Sequence, residues 1–401
     1  MRVLFAHDYG TRDGGAEIAT LSLRDGLRAR GHDAKIFSSS ARAKGVLSDA
    51  DVECFGTTGR SRTILQTMNA FAWRKFARVL AEFQPDIVHV GMCLTQLSPL
   101  ILPLLRGQPA IYHAHWLRSI CPTGFKMLPD GSPCENPAGY ACLRSDCLSL
   151  RDWVPLMGQL RLWKRWSSVF DRIVANSEAT RSTLEKAGVA NLMMIPYGVP
   201  DRPSTQPMAD VPTVIFAGRI TVQKGVHVLL DAWRSVAAHL PGSRLLIAGD
   251  GPERVRLEQL APPGVVFVGQ LSSEELGHLA STAWIQVVPS LGFEPFGLVT
   301  AEAMMRGRGV IATRVGGTPE IVKEGVTGSL VEPGDPDALA AELTIALRDR
   351  SLCERLGEQG RRFAEDRCSL DLFAERFISV YEQLVADAPT QQREQLNSVE
   401  N

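Results

Sequence analysis

Two glutamates eight positions apart, Glu294 and Glu302, bracket the stretch EPFGLVTAE. Trp284 to Pro289 before them is short, apolar and closed by Pro and Ser, which reads as a buried strand running into a loop that holds Glu294. Leu298 to Arg306 is built from good helix formers between Gly297 and Gly307, so Glu302 falls about one turn into a helix. Both carboxylates then face the carboxyl end of a strand, where open parallel sheets bind ligands. For Glu302 alone the plain alternative is an acid complementing the helix dipole. Arg219 and Lys224 lie five positions apart after a second strand, TVIFA. There the planar fork of an Arg and the point charge of a Lys would converge on a diphosphate, although either taken singly reads as a surface charge. Gly14 and Gly15 before AEIATLSL, and Gly297 before LVTAEAMM, put backbone N–H groups at helix starts, which suits anions; ordinary turn glycines are the plain alternative.

The elements that must carry these residues form one plan used twice. RVLFAHDYGTRDGGAEIATLSLRDGLRARGHDAKIFS and TVIFAGRITVQKGVHVLLDAWRSVAAHLPGSRLLIAGD both read strand, glycine-containing loop, amphipathic helix, turn, strand. DIVHVGM, AIYHAHW, RIVANS and NLMMIP continue the first half with strands; LLIAGD, VVFVGQ, WIQVVPS and GVIATR continue the second. Alternating strands and helices imply an α/β protein with parallel sheets, expected as two Rossmann-like domains facing across a cleft. PYGVPDRPSTQPMADVP, with five prolines, is the linker. The expected boundaries are 1–195 for the first domain, with a cysteine-bearing insertion at 118–150, and 196–371 for the second. An amphipathic helix at 372–386, able to pack on either domain, and a polar, disordered tail at 387–401 complete the chain.

Composition narrows the function classes. The 401 residues are 45% hydrophobic, enough for two cores, and 43 basic against 44 acidic residues leave no electrostatic footprint for nucleic acid. MRVLFAHDYG turns polar at His7 and reads as a strand rather than a signal peptide, and no apolar run approaches the roughly 18 residues of a membrane span. A cytoplasmic protein with reduced thiols is the expectation. Neither half holds G-x-G-x-x-G or a P-loop, and Gly249-Asp250-Gly251 is too short to count, so dehydrogenase and NTPase readings lose their main support. Asp49-Ala50-Asp51 lies in the polar loop ARAKGVLSDADVE and reads as a solvated turn, so no catalytic metal or other cofactor for catalysis is expected.

AGRITVQKG, LLIAGDGPE, FVGQL and PSLGFEPFGLVTAEAMMRGRGVIATRVGGTPEIV together resemble the carboxyl-terminal domain of the retaining GT-B glycosyltransferases of family four. GGAE, HAHW and IVANSEATRSTLEKAG extend the likeness to the first half. The resemblance implies transfer of a sugar from a nucleotide diphosphate sugar to an acceptor hydroxyl, with retention. It implies that Glu294 holds sugar hydroxyls and Glu302 the ribose, each carboxylate accepting two hydrogen bonds from a diol. It also implies Arg219, Lys224 and the amides of Phe296, Gly297 and Leu298 on the diphosphate, and Gly269, Gln270 and Leu271 against the base. His113 matches the active-site histidine and is favoured over His115; the family's usual His-Asp pair is broken here by Ala114. A sugar phosphorylase, a nucleotide-sugar epimerase and a non-catalytic sugar-nucleotide-binding subunit stay open on the same fold. The acceptor, a glycan, a lipid-linked sugar or a small molecule, is not specified.

Cys121, Cys134, Cys142 and Cys147 crowd a Pro- and Gly-rich loop with no core of its own. Without any C-x2-C spacing, structural zinc, disulfides and free thiols all remain open. In RLWKRWSSVFDRIV, Leu162, Trp166, Val169, Phe170 and Ile173 recur at helical spacing opposite Lys164, Arg165 and Arg172. Relatives use such a face for peripheral contact with a membrane, here at its inner face, but a core-packed helix is the blander and favoured reading.

Overall fold

A computed structural model describes residues 1–42, 45–59, 62–202 and 206–388. The chain divides into two compact units. The first comprises Met1–Pro129, Glu135–Gly198 and the chain from Leu370; the second comprises Asp130–Cys134 and Val199–Ser369. The handover near residue 198 lies three residues beyond the expected boundary.

The first unit holds seven parallel strands: β1 (Arg2–Tyr9), β2 (Asp33–Ser39), β3 (Val52–Cys54), β4 (Ile87–Val90), β5 (Ala110–Ala114), β6 (Arg172–Ala175) and β7 (Leu192–Met194). Their order is β3-β2-β1-β4-β5-β6-β7. The second holds six: β8 (Thr213–Ala217), β9 (Arg244–Ala248), β10 (Val265–Gly269), β11 (Ile285–Val288), β12 (Gly309–Thr313) and β13 (Gly328–Val331), in the order β10-β9-β8-β11-β12-β13. Each sheet therefore reverses direction beside its first strand, at β1/β4 and at β8/β11, the points where doubly wound sheets open a crevice. Both sheets are covered by helices, which is why β4 and β11 are buried along their whole length, each apolar but for one polar side chain, His89 and Gln286.

Two strands were not legible as such. β3 is three residues at a sheet edge, inside the loop read as polar, and β13 carries only two large apolar side chains. The DAD turn is likewise not simply solvated. Asp51 accepts from the Ile36 amide at 2.8 Å and from Arg28 at 2.6 Å, fastening β3 to β2, while Asp49 accepts from Arg12 Nε at 2.5 Å.

The last helix, Leu370–Asp387, starts two residues earlier than expected and joins the first unit. Phe373, Phe377, Tyr381 and Leu384 form its buried stripe. Tyr381 Oη meets His89 Nδ1 at 2.5 Å, and Arg30 pairs with Asp371 at 2.6 Å. The expected tail lies outside the described residues, save Asp387 and Ala388. Among the described residues no helix is long and apolar enough to cross a membrane.

At the end of β1, Asp8 is fully buried, and its carboxylate accepts four hydrogen bonds. Oδ2 takes the Thr95 amide at 2.8 Å and hydroxyl at 2.7 Å; Oδ1 takes the amides of Gln96 and Leu97, both at 2.8 Å. The charge is thereby solvated by donors that would otherwise be orphaned beneath the sheet edge. Asp8→Ala should destabilise the first unit by about 3 kcal/mol or more, since it strands several buried donors, and Asp8→Asn by less, since its amide keeps one acceptor. Urea denaturation, with hydrogen exchange at Thr95–Leu97, would check the ranking.

Candidate functional site

Arg219 stands two residues past β8, and Lys224 closes the short 3-10 turn Val222–Lys224 ahead of the helix Val226–His239. The Gly249-Asp250-Gly251 segment serves this loop: Ile220 N donates to the Asp250 carbonyl at 2.9 Å. Across the switch point, the loop after β11 is tied to the same turn through one carbonyl. Gln223 O accepts from the amides of Leu291 at 2.8 Å and Gly292 at 3.1 Å. Gly225 has φ +67°, and a Cβ there would sit 1.9 Å from the Pro289 carbonyl oxygen, so only glycine permits this approach.

The two loops bring Lys224 Nζ onto Glu294 Oε1 as a contact ion pair, and Ser290 Oγ donates to the same oxygen at 2.5 Å. The Glu294 side chain is only 12% exposed, so the pair is largely screened from solvent on the carboxylate side. From the other side the Gly317 amide donates to the Glu294 carbonyl at 2.8 Å, and Gly316, at φ +53°, lies where a Cβ would fall 2.0 Å from that oxygen. Glu294 is thus held by backbone from both flanks.

The next helix, Leu298–Met305, begins at Gly297, which has φ +95° and no side-chain cap. Its first-turn amides therefore face outward with the positive end of the dipole, beside Glu294 in sequence. Phe296 is buried and anchors the turn. Glu302 sits on this helix with Arg306 Nη1 donating to its carbonyl at 3.1 Å and lying 4.0 Å from its Oε2. Burial raises the Glu302 pKa, against the pull of Arg306 and Arg202, although 29% of the side-chain surface stays open. Gly269 ends β10 with φ +79°, followed by exposed Gln270 and half-buried Leu271, so these three occupy the carboxyl edge of the same sheet.

The first unit departs further from expectation. Gly14 and Gly15 do start the helix Gly15–Ala29 without a side-chain cap. Glu17 folds back over that end, however, its Oε2 falling 2.2 Å from where a Gly14 Cβ would be.

His113 is 1% exposed and belongs to the core. Its ring lies 5.2 Å from Phe377, 5.4 Å from His89 and 4.1 Å from His115. His115 is buried beside it, so burial does not separate the two. His115 lies just past the end of β5 in a tight turn, its amide donating to the His113 carbonyl at 3.0 Å, and it is itself only 5% exposed. There His115 Nδ1 hydrogen-bonds Tyr197 Oη, and Nε2 lies 3.4 Å from Thr20 Oγ1. Burial first, then the neighbouring histidines, push both pKa values well below the usual histidine value, so both rings are neutral.

Cys121 is buried with Sγ 3.2 Å from Thr123 Oγ1, Cys142 lies on the helical turn Ala141–Arg144, and Cys134 and Cys147 are half-buried. Among the described residues no group of three or more His, Cys, Asp or Glu is arranged to hold a metal ion. Leu117–Gly124 and Trp153–Gly139 hydrogen bonds shape the insertion. In the segment 160–173, Trp163, Phe170 and Ile173 are buried, with Trp163 and Phe170 against Tyr112. Of the expected face, Phe170 and Ile173 are core-packed, while Leu162, Trp166 and Val169 are half-buried.

Sequence reasoning missed Gln223, Ser290, Gly316 and Arg306. Only the glycine pair in RVGGTPE, between a strand and a helix start, gave a signal that could have been read.

Two family descriptions match this chain: glycosyl transferases group 1 over residues 200–363 and glycosyltransferase family 4 over residues 13–202. A phosphatidyl-myo-inositol mannosyltransferase of Mycobacterium leprae is 34% identical over 236 residues, 56% of this chain and 62% of that one. Alignments to three other curated relatives span 30% to 49% of their lengths, so this chain matches about half of them or less. Sucrose-phosphate synthase of Thermosynechococcus elongatus superposes with a TM-score of 0.74 at 23% identity, over 96% of this chain and 99% of that one. HepE of Anabaena, solved with UDP-glucose, gives 0.68 at 20% identity, over 96% and 100%. At these identities the structural likeness is one of fold.

The raised Glu302 pKa has a consequence for stability. Folded protein binds this proton more tightly than unfolded chain, so above the ordinary glutamate value stability contributed by Glu302 falls as pH rises, until its folded pKa is passed. Glu302→Gln should remove that negative slope. Urea midpoints of both proteins across pH 4 to 8, on the order of the titration range, check it; parallel curves would mean the group titrates as in unfolded chain.

Proposed function

The paired domain matches make this chain a glycosyltransferase of the GT-B type, and from that premise we propose that it moves a sugar from a nucleotide diphosphate sugar to an acceptor hydroxyl with retention at the anomeric carbon. The carrying observation is the junction of Lys224, Glu294 and the uncapped helix Leu298–Met305 at the β8/β11 switch point. Solved relatives of the same fold are bound to UDP and UDP-glucose, which supports a donor of this class.

In this reading Glu302 accepts from the ribose hydroxyls and Gly269, Gln270 and Leu271 flank the base. The amides of Phe296, Gly297 and Leu298 receive the diphosphate with Arg219 and Lys224. Glu294 accepts from hydroxyls of the sugar, trading its bond to Lys224 for contacts to the donor, so that the lysine charge is released towards the phosphate. As the bond from the anomeric carbon to phosphate oxygen breaks, the acceptor oxygen bonds to the same face of that carbon, and its proton passes to the departing phosphate. The two cations and the helix amides oppose the negative charge that grows on the leaving group; donors so placed are worth about 3 to 4 kcal/mol each. No protein carboxylate is needed as nucleophile. His113 is kept as the active-site histidine in this reading, with His115, fixed by Tyr197, stacked beside it. The acceptor is a hydroxyl compound of unspecified class, and a cytoplasmic site of action belongs to the same reading.

Glu302→Gln should weaken the free nucleoside diphosphate, chosen by thermal shift from a UDP, GDP, ADP and dTDP panel, as much as the full donor. Glu294→Gln should leave nucleoside diphosphate affinity nearly unchanged while cutting donor turnover. Each loss should be about ten- to a hundred-fold, the equivalent of one or two charged hydrogen bonds. Calorimetry and initial rates separate the two; equal effects of both variants on affinity and turnover refute the division of roles. Because cations of the chain itself face the diphosphate, turnover should also survive EDTA, and restoration by added magnesium would show the charge assignment to be wrong.

A further inference from the structure

Arg306 closes the helix Leu298–Met305 and is only 5% exposed, so its guanidinium has given up most of its water. A buried cation costs free energy unless it is paired, and the helix end does not need this one. Other donors already serve the last carbonyls. The Arg306 amide donates to Glu302 at 3.2 Å and Ala303 at 3.1 Å, the Gly307 amide to Met304 at 2.8 Å, and Arg361 Nη1 to Met305. What the Arg306 guanidinium has instead is a carboxylate: Glu302 Oε2 lies 4.0 Å from Nη1, and among the described residues no other acid comes within that distance.

At that separation the two groups attract without hydrogen bonding. Arg306 Nη1 gives its hydrogen bond to the Glu302 carbonyl, at 3.1 Å, and so leaves both carboxylate oxygens their lone pairs. Lys224, by contrast, sits directly on Glu294. Burial raises the Glu302 pKa, and of the two charges that draw it back Arg306 is the larger; Arg202, the other, is exposed and donates to Ser273 Oγ at 2.7 Å. The charges on the packed elements are otherwise occupied or outward. Arg361 on the helix Arg350–Cys368 is paired with Asp201 at 2.9 Å and Glu365 at 2.8 Å, and Arg308 donates to the Gln206 carbonyl at 3.1 Å. Glu274, Glu275 and His278 on the helix Ser273–Thr282 are exposed, and Glu320 on the turn Thr318–Ile321 is half-buried.

We propose that Arg306 is a positioning residue of the donor site: it keeps Glu302 an ionised acceptor for the two ribose hydroxyls while leaving both carboxylate oxygens open, so that nucleotide affinity persists into acid solution. This role rests on the donor reading given above, in which Glu302 holds the ribose. Protonation would turn one Glu302 oxygen into a donor and remove the charge that strengthens both hydrogen bonds. Binding therefore falls as pH drops through the Glu302 titration. Loss of the nearby cation makes the carboxylate easier to protonate, which moves that fall to higher pH.

The test is calorimetric titration of the full chain with UDP, GDP, ADP and dTDP, the tightest of which is then followed from about pH 5 to about pH 8. Arg306→Gln can still donate to the Glu302 carbonyl but carries no charge. It should move the acid loss of affinity up by about one pH unit, binding about five-fold more weakly than wild type at the wild-type midpoint and nearly as well at about pH 8. Arg306→Lys, which keeps the charge, should return the wild-type profile. Titration of the nucleotide's own phosphates cancels in each comparison of variant with wild type, and circular dichroism checks that each variant is folded. In Glu302→Gln with Arg306→Gln the pH response should match that of Glu302→Gln alone; a further shift would place the titrating group elsewhere and overturn the role of Arg306. If Arg306→Gln follows wild type at every pH while Glu302→Gln binds more weakly, Arg306 is a helix-end residue and nothing more, and the donor reading stands without it. If Glu302→Gln binds as wild type does, or none of the four nucleotides binds, the ribose assignment itself is wrong.

Discussion

The Gln223 carbonyl, accepting from the amides of Leu291 and Gly292, is the hinge on which the second unit's chemistry rests. It fastens the loop after β8 to the loop after β11, and the parallel strand order is what lays those loops side by side. Lys224 and Glu294, seventy residues apart, touch because of it. Side chains could not have made the fit. Gly225 against Pro289 and Gly316 against Glu294 are approaches of backbone to backbone, closer than any Cβ allows. The ion pair is the visible result of a main-chain arrangement that fixes it in place before any ligand arrives, which is the form of pre-organisation electrostatic catalysis needs.

The two units share a topology and use their switch points in different ways. In the second, the helix after the switch starts at a glycine with no cap and leaves its amides outward. In the first, the loop after the equivalent strand β4 spends the amides of Thr95–Leu97 on the buried Asp8 carboxylate.

Much of this was legible in advance. Strand–helix alternation set the fold class, and Arg219, Lys224, Glu294 and Glu302 stood out because charged residues after buried strands need a reason. What failed did so for identifiable causes. The burial of His113 was not legible, because the aromatic cover comes from the last helix, nearly 300 residues on in the contact of His89 with Tyr381. β3 was hidden because an edge strand fixed by Asp51 needs no apolar run.

The helix Leu370–Asp387 makes the second unit an insertion within the first. The chain leaves at residue 198, builds a complete six-stranded sheet, and returns to cover His89 and His113 with Phe373, Phe377 and Tyr381. During synthesis the domain begun first is therefore finished last. Until the final helix leaves the ribosome, a strip of aromatic and histidine side chains on the first sheet has no cover, while the second unit already has every strand it needs. The amino-terminal half must wait, part-built, for about the time taken to translate 200 residues, ten to forty seconds at bacterial-to-eukaryotic elongation rates of roughly 5–20 residues per second. A duplication that looks symmetric in sequence is thus strongly ordered in time.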